Sequence, residues 1–331
     1  MSRALETDVA TALRLGNPQS AYQQISCVFN SPTGDELLEL EILGRAHLFP
    51  DSCYVLRDGY AVAVSKPGLV QAFIVASQLL KCHIDGSCPQ HGPELLPITA
   101  VMLLMDPEHL TAANTRKRVL LSRLSSAGGD TQALLREEKY FLDSLLTSRL
   151  HRHTKSPTLW SHLQWLLLQF STHGLSVDAL PDLMTVVFVA GERHPRNYYA
   201  WSHARFLMKM NPNISKTEVL AVVKTWAFQH YTDISGWAFL YHLLLAISHS
   251  SPAVVQVTFE EVLQLVVSFQ LVNESVWVFL RTLTASGLVG DTEHSRFLAA
   301  GNELVGFSKL PPDQKLVQSA LRWCETYRVK D

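Results

Sequence analysis

The chain has 331 residues, of which 47% are apolar and 18% are charged, so it is long enough to bury a large core or to form an array of repeats. Its formal net charge of −2 excludes a broad basic footprint for nucleic acid. Its five cysteines are scattered without a paired framework, which favours a reduced, cytoplasmic compartment. We expect no secretory signal and no membrane span, because the first eight residues are partly acidic and the apolar stretches are short.

The first 95 residues predict a mixed cap of helices and a small ribbon. Apolar spacing favours helices over 8–15, 20–29 and 33–43. Two short β-rich runs then flank Asp58 and Gly59, a pair typical of a type I′ hairpin turn. The pattern becomes helical again over 69–81.

A cysteine and histidine segment follows this helix. Thiolate and imidazole are zinc ligands, which makes Cys82, His83, Cys88 and His91 a possible set. Their spacing matches no common zinc pattern, however, and the density of Gly, Pro and Ser is typical of a surface loop. We therefore expect neither a metal nor a cofactor on this chain.

From residue 95 onward the sequence predicts helices only. A small polar cap followed by an apolar helix recurs along the chain, and a tryptophan stands in its first turn in four of five copies. The five anchor positions are Ala113, Trp160, Trp201, Trp237 and Trp277, at intervals of 47, 41, 36 and 40 residues. Each interval has room for two helices, so we interpret the tryptophans as structural anchors of repeat packing.

The second helices and the C-terminal helices follow from the same apolar periodicity. They are predicted over 130–150, 215–230, 252–269, 291–305 and 312–328. The segment 215–218 is a capping box that opens the second of them. His162 and His203 each follow a tryptophan by two residues, which predicts a recurring structural hydrogen bond rather than acid–base chemistry.

Helical hairpins cannot bury both faces alone and therefore stack. The predicted fold is all-α, a right-handed α-solenoid with a small β-hairpin near the N-terminus. We divide it into an N-terminal cap (1–95), five repeats (96–290) and a C-terminal helical cap (291–331). Tetratricopeptide repeats are the competing architecture, but their period is shorter and their signature is absent.

The repeats resemble the α-subunit repeat of protein prenyltransferases, whose signature is Asn-Tyr-x-x-Trp followed by His or Tyr and Arg. Residues 196–203 and 273–277 match it best, and the resemblance covers roughly 97–290. It implies an α subunit that wraps a separate zinc-bearing β subunit, most closely the Rab-type one. Within the family, the degenerate repeats and the Lys-Ser-Pro before Trp160 most resemble the α subunit of a third, type III geranylgeranyltransferase.

The resemblance also implies a division of roles among residues. Lys155 occupies the position of the family lysine that reaches the diphosphate, so it is the catalytic candidate, while Tyr198 and Tyr199 match tyrosine or histidine positions of the third repeat. Arg196 is a fallback cation for the diphosphate or the interface. One of the tyrosines is expected to pack under Trp201. The implied partners are geranylgeranyl diphosphate and an acceptor protein with a cysteine near its C-terminus, among them a farnesylated SNARE.

Several departures from the family pattern keep a second hypothesis open. Pro157 stands where the second repeat has tyrosine, and the repeat arginine is kept only at Arg116, being Leu or Ala in the other copies. His151, Arg152 and His153 form with Lys155 a basic cluster that we expect to face solvent. The alternative function is a non-catalytic protein-binding scaffold that retains the solenoid fold.

Overall fold

The computed structural model describes residues 17–30, 36–44, 46–47, 49–87, 94–126 and 130–329. Over these ranges the chain is helical apart from one three-stranded sheet, which confirms the predicted fold class. The chain divides into two compact units, Met1–His194 and Pro195–Asp331. The three-part division at residues 95 and 290 stays a prediction. None of the helices within the described ranges is both long and apolar enough to cross a bilayer.

The first unit begins with three helices that pack on one another. The strands of a small sheet come between the first and the second of these helices in the sequence. The helices are α1 (Pro18–Ser26), α2 (Lys66–Ile84) and α3 (Leu95–Met105). Asn17 opens α1, because its side chain accepts a hydrogen bond from the backbone N–H of Ser20 at 3.0 Å. Ser65 caps α2 in the same way. The predicted helix over 8–15 lies outside the described residues.

The sheet has the order β1-β3-β2, formed by β1 (Glu39–Leu43), β2 (Val55–Asp58) and β3 (Ala61–Ser65). Strand β3 pairs parallel with β1 and antiparallel with β2. The predicted helix over 33–43 is therefore wrong from residue 36 onward, where the described part of this range begins. Buried Leu38 and Leu40 alternate with glutamates, which suits a strand, and the pairing with β3 decides the outcome.

The hairpin turn between β2 and β3 lies one residue later than predicted. Asp58 pairs with Ala61, so Gly59 and Tyr60 form the loop. Gly59 has a φ of 57°, whereas Tyr60 is not among the residues of positive φ. A type I′ turn needs positive φ at both central residues, so the predicted turn type is wrong.

Helical hairpins fill the rest of the first unit. Its elements are α4 (Leu110–Ser125), α5 (Thr131–Leu146), α6 (His151–Thr154), α7 (Pro157–Thr172), α8 (Ala179–Asp182), a π-helical segment (Leu183–Phe188) and α9 (Val189–Arg193). Helix α7 packs on both α4 and α5. The predicted helix over 130–150 ends at Leu146, where Ser148 turns the chain by accepting from Leu150 N and donating to Leu145 O.

A buried ion pair joins α3, α4 and α5. The Nε atom of Arg116 lies 2.7 Å from both carboxylate oxygens of Glu138, and its Nη1 donates to the carbonyl oxygen of Leu96 at 2.8 Å. The guanidinium also lies 3.7 Å from the centroid of the Phe141 ring. Burial raises the pKa of Glu138, while Arg116 opposes that shift. The one retained repeat arginine is thus enclosed within the first unit.

A second buried cluster joins α5 to α8. Lys139 Nζ lies 2.5 Å from Asp143 Oδ2 and 2.8 Å from Asp182 Oδ1. Burial, opposed by Lys139 and aided by the neighbouring Asp182, raises the pKa of Asp143 to about 6. The same two carboxylates raise the pKa of Lys139 above its ordinary value, outweighing its burial. One lysine therefore serves two buried carboxyl groups.

The second unit is built from hairpins stacked in two rows. Its helices are α10 (Tyr198–Met210), α11 (Lys216–Gln229), α12 (Ile234–Ile247), α13 (Pro252–Ser268), α14 (Glu274–Ala285), α15 (Asp291–Phe307) and α16 (Pro311–Tyr327). Helices α10, α12, α14 and α16 pack in sequence, α13 packs on α15, and contacts between consecutive helices join the rows. Most helices of this unit thus pack on the helix two places along the chain, as stacked repeats require.

Aromatic contacts fill the core of this unit. The Trp201 ring lies 4.8 Å from Trp226 and 5.5 Å from Phe239. The contact between tryptophan and phenylalanine recurs in the next two repeats, between Trp237 and Phe279 at 5.0 Å and between Trp277 and Phe297 at 5.7 Å. A Cβ at Gly236 would lie 2.5 Å from the Trp226 ring, so this position of α12 requires glycine. The helix and the indole can approach this closely only without a side chain there.

Candidate functional site

The five repeats open with an N-cap residue four positions before the anchor. Each cap side chain accepts a hydrogen bond from a backbone N–H in the first turn of the following helix, at 2.8 to 3.3 Å. The caps are His109, Ser156, Asn197, Asp233 and Asn273. This common geometry fixes the phase of all five copies, including the first, which has no tryptophan.

The four tryptophans are almost fully buried, with at most 2% of each residue exposed. In three of them the indole Nε1 donates to the carbonyl oxygen six residues earlier, at 2.8 to 3.0 Å. These pairs are Trp160 with Thr154, Trp237 with Tyr231, and Trp277 with Leu271. In these three repeats the indole therefore holds the segment that leads into the repeat, and the segment before Trp160 carries Lys155.

Lys155 lies in the loop that leads into the second repeat, between α6 and the cap of α7. It is half-buried, and the residues on either side of it are held rigidly. Thr154 Oγ1 donates to Ser148 O at 2.8 Å, and Ser156 Oγ donates to Pro107 O at 3.2 Å. The backbone that presents Lys155 is therefore fixed by contacts on both sides.

The basic cluster around Lys155 is only partly as predicted. His151 and Arg152 are exposed, and Arg152 contacts Asp106 at 2.8 Å. His153 instead is buried, and its Nε2 lies within hydrogen-bond distance of the carbonyl oxygens of Leu103 and Leu104. Burial lowers the pKa of His153 to about 4, so the ring is neutral at physiological pH. The prediction that His153 faces solvent is wrong, because its ring packs from α6 against the backbone of α3.

The second unit brings Arg196, Tyr198 and Tyr199 together at the start of α10. Arg196 is exposed with a φ of 61°, and its backbone N–H donates to Asp233 Oδ2 at 2.6 Å. Tyr198 is 70% exposed and Tyr199 is 38% exposed, with their rings edge to face at 5.5 Å. The expected packing of one tyrosine under Trp201 is therefore wrong, because that space is taken by other rings of the unit.

The two histidines that follow tryptophans are buried in their units. His162 is fully buried, with its Nε2 3.3 Å from Glu138 Oε1, and burial together with Lys117 and Arg116 holds its pKa well below the usual value. His203 is 1% exposed and stacks on Phe206. Both rings thus lie in the core, away from any solvent-facing chemistry.

An apolar stripe runs along the exposed face of α12. Ile234, Ala238, Tyr241 and Leu245 are spaced at four, three and four residues, so they share one side of the helix. Ile234 is 40% exposed and Leu245 is 51% exposed. Beside the stripe, α12 and α14 enclose a groove of about 130 Å³ with an almost entirely apolar lining that includes Val278. We call Ile234, Ala238, Tyr241 and Leu245 the α12 stripe.

The described part of the chain holds no group of three or more His, Cys, Asp or Glu residues that could bind a metal. In the segment weighed for zinc, Cys82 is half-buried and His83 is exposed at the end of α2. Cys88 and His91 lie outside the described residues, so that set is untested.

Sequence reasoning missed two features of the molecule, one on the surface and one in the core. The α12 stripe was readable in principle, because α12 is apolar on all sides and a helix in a two-row stack exposes one of them. The partners of Lys139 were not readable, since Asp182 is 43 residues away and only the packing of α8 on α5 brings them together.

Comparison with known proteins shows that part of this chain is similar to proteins named for prenyltransferase α-subunit repeats. The model of the ECM9 middle domain matches residues 159–269. Protein prenyltransferase alpha subunit repeat-containing protein 1 of Danio rerio is 31% identical over 182 residues, covering 48% of this chain and 40% of that protein. Protein ECM9 of Saccharomyces cerevisiae is 31% identical over 153 residues, covering 44% of this chain and 39% of that protein.

A more distant relative is the geranylgeranyl transferase type-2 subunit alpha of Dictyostelium discoideum, 25% identical over 115 residues and 34% of each chain. The matches thus span about two fifths or less of the relatives' own length. Similar names recur among the relatives, and the repeats described above have the expected hairpin form. The resemblance to proteins with prenyltransferase α-subunit repeats, first seen in the sequence, is confirmed.

Proposed function

We propose that this chain is the α subunit of a heterodimeric protein prenyltransferase that acts in the cytoplasm. It docks on a zinc-bearing β subunit, most closely the Rab-type one, and assists transfer of a geranylgeranyl group from its diphosphate to a protein cysteine. The observation that carries the proposal is the exposed α12 stripe, which lies in the segment that the family model matches. An apolar stripe of this kind on a repeat protein marks a protein interface.

The division of labour follows from the chemistry of prenyl transfer. A cysteine thiolate attacks the C1 carbon of the isoprenoid, the C–O bond to the diphosphate breaks, and negative charge builds up on the leaving group. Zinc on the β subunit would bind the sulfur of the acceptor cysteine and favour loss of its thiol proton, which leaves the thiolate as the nucleophile. In this account Lys155 contributes a cation that stabilises the diphosphate as it leaves, from a loop held by Thr154 and Ser156.

Arg196, Tyr198 and Tyr199 are assigned to the partner interface and the diphosphate. Exposed tyrosines supply large contact areas at a small entropy cost, and the left-handed backbone of Arg196 is fixed by its bond to Asp233. Exposure of Tyr198 at 70% is high for a ring with no partner to cover it.

The experiment is co-expression of this chain with each prenyltransferase β subunit of its own source organism. The proposal predicts a one-to-one complex with the Rab-type β subunit. Given labelled geranylgeranyl diphosphate, this complex should transfer the labelled geranylgeranyl group to proteins of a cell extract. Among the acceptors we expect an already farnesylated SNARE. Lys155→Ala should lower labelling at least tenfold without loss of the complex, while the matched control Lys81→Ala, on exposed Lys81 of α2, should label like the wild type.

A non-catalytic binding scaffold is the second candidate. It is favoured by Pro157 in place of the family tyrosine, and by the enclosure of Arg116 in the core of the first unit. This candidate predicts a chain that binds some other protein through the α12 stripe and ignores every β subunit. A labelled acceptor from the co-expressed complex would exclude it.

A further inference from the structure

A cavity of about 310 Å³ lies within the first unit, between α3, α4, α5 and the residues that follow α1. Its size is at the lower end of the range of pockets that hold small organic molecules. Aromatic and aliphatic side chains supply much of its lining, namely Phe29, Leu96, Ala100, Leu120, Leu134 and Phe141. The cavity therefore offers an apolar surface on several sides to a ligand of a few heavy atoms.

Arg116 lines this cavity and has a guanidinium nitrogen that the described residues do not engage. Its Nε and Nη1 atoms donate to Glu138, Leu96 and Thr99, whereas Nη2 makes no hydrogen bond to the described part of the chain. Arg116 is only 6% exposed, so bulk water has little access to its donors. Because a buried N–H group needs an acceptor, the lining favours a ligand that carries an oxygen atom.

The charges of the lining leave one carboxylate without a cation. Arg116 pairs with Glu138 at 2.7 Å, and Arg123 pairs with Glu94 at 2.7 Å. Glu137 also lines the cavity, is exposed, and forms no ion pair with the described residues. The two pairs cancel, so the lining carries one negative charge in excess. A ligand with a single positive charge complements this charge.

Two further cations lie near the cavity without lining it. Lys117 Nζ lies 5.4 Å from the centroid of the Trp165 ring, which belongs to α7. Arg57 Nη2 donates to the carbonyl oxygen of Val28 at 3.0 Å. Neither cation is part of the lining, so Glu137 is the unpaired charge that a ligand in the cavity meets.

We propose that this cavity binds a small organic amine whose apolar body carries a neutral oxygen acceptor, as in an amino alcohol. The ammonium group faces Glu137, the oxygen accepts from Arg116 Nη2, and the apolar body lies among the rings and leucines of the lining. A ligand with a carboxylate of its own is disfavoured, because both arginines of the lining are already paired. The site shares no residue with the α12 stripe or the Lys155 loop, so it goes beyond the proposed function.

The probe is leucinol, which carries an ammonium and a hydroxyl group on a branched apolar body. It is titrated into the full chain, labelled at the leucine methyl groups and followed by NMR. We expect the methyl resonances of Leu96, Leu120 and Leu134 to shift, with a Kd of about 0.1–1 mM.

Three analogues of leucinol separate the contributions of its groups. Isoamylamine lacks the hydroxymethyl group and isohexanol lacks the ammonium, so each should bind roughly threefold to tenfold more weakly than leucinol. L-leucine has a carboxylate in place of the alcohol and should bind roughly fivefold more weakly, because its net charge no longer complements Glu137.

Glu137→Gln tests the charge directly. It should weaken the binding of leucinol roughly threefold to tenfold and leave isohexanol unchanged, because only the ammonium interacts with the carboxylate. The matched control is Glu303→Gln, at an exposed position of α15, which should bind both compounds like the wild type. Leu134→Trp fills the cavity and should abolish binding of all the compounds. Circular dichroism melting shows whether that variant folds, and the exposed Glu137→Gln decides if it does not.

Three outcomes overturn the inference. The leucine resonances of the cavity could stay unchanged up to about 10 mM leucinol, L-leucine could bind as tightly as leucinol, or Glu137→Gln could weaken leucinol and isohexanol equally. None of these results bears on complex formation with a β subunit, which tests the proposed function separately. Conversely, a chain that binds no β subunit but passes the leucinol titration would keep this site and lose the prenyltransferase role.

Discussion

The two compact units bury different chemistry between their helices. The first unit encloses two charged clusters, one centred on Arg116 and Glu138 and the other on Lys139 with its two aspartates. The second unit, over its described residues, buries one charged side chain, Asp233, and packs tryptophans against aromatic rings. The same hairpin repeat can therefore be held by ion pairs or by rings, and the two solutions respond differently to mutation.

Loss of an aromatic anchor in the second unit should have the largest effect. Trp237→Ala removes a ring that lies 5.0 Å from Phe279 and is 1% exposed, leaving a large cavity. We expect a loss of about 4–5 kcal/mol in the free energy of unfolding, measured by urea denaturation. Trp237→Phe should lose clearly less, and equal losses for the two variants would mean that cavity volume is not the cause.

Removal of one charge from the first unit comes next. Arg116→Met leaves Glu138 buried without its cation, which should cost about 3–4 kcal/mol in the same assay. Arg116→Met combined with Glu138→Met removes both charges and should recover most of that loss. A double variant as unstable as the single one would show that the ion pair itself, rather than the stranded carboxylate, determines stability.

The lysine cluster should make the first unit sensitive to pH. The pKa of Asp143 is raised from 3.8 to about 6 in the fold, so its contribution to stability is fully present below pH 3.8 and is lost as pH rises through about 6. Asp143→Asn cannot ionise and should gain stability relative to the wild type as pH rises from about 4 to 7. Urea unfolding across this range checks the slope. A difference that does not change with pH would contradict the assigned pKa.

The caps are what the two units share, and their removal should have the smallest effect. Ser156→Ala in the first unit and Asn273→Ala in the second each leave a backbone N–H without its cap. Both should cost about 1 kcal/mol, seen as similar shifts in the urea midpoint. Unequal losses would show that Ser156 matters mainly through its other bond, to Pro107 O.

The repeats were predictable because their signals are local. A cap four residues before each tryptophan and a 3.6-residue apolar period determine both the phase and the helices, several of which end within one residue of expectation. Strand β1 was not predictable in this way, because its partner β3 lies 22 residues on and only that pairing selects a strand over a helix.

In the candidate site, too, features encoded locally could be predicted and features that depend on long-range packing could not. The positions of Lys155, Arg196, Tyr198 and Tyr199 came from a motif, and the exposure of the tyrosines depends on packing that the motif does not encode. The contact between the rings of His151 and His194, whose centroids are 4.9 Å apart, was not foreseen either, since the residues are 43 positions apart and α9 follows a π-helical segment. Contacts between residues far apart in the chain were therefore the part of the site that the sequence did not predict.

The most direct test of the proposed function is the affinity of the Rab-type β subunit for two matched variants. Ala238→Glu places a charge within the α12 stripe, and Ala221→Glu places the same charge on the exposed side of α11 in the other row of helices. If the stripe is the docking surface, Ala238→Glu should weaken binding at least tenfold, about 1.4 kcal/mol, and Ala221→Glu should bind like the wild type. Equal affinities for both variants would contradict docking through α12.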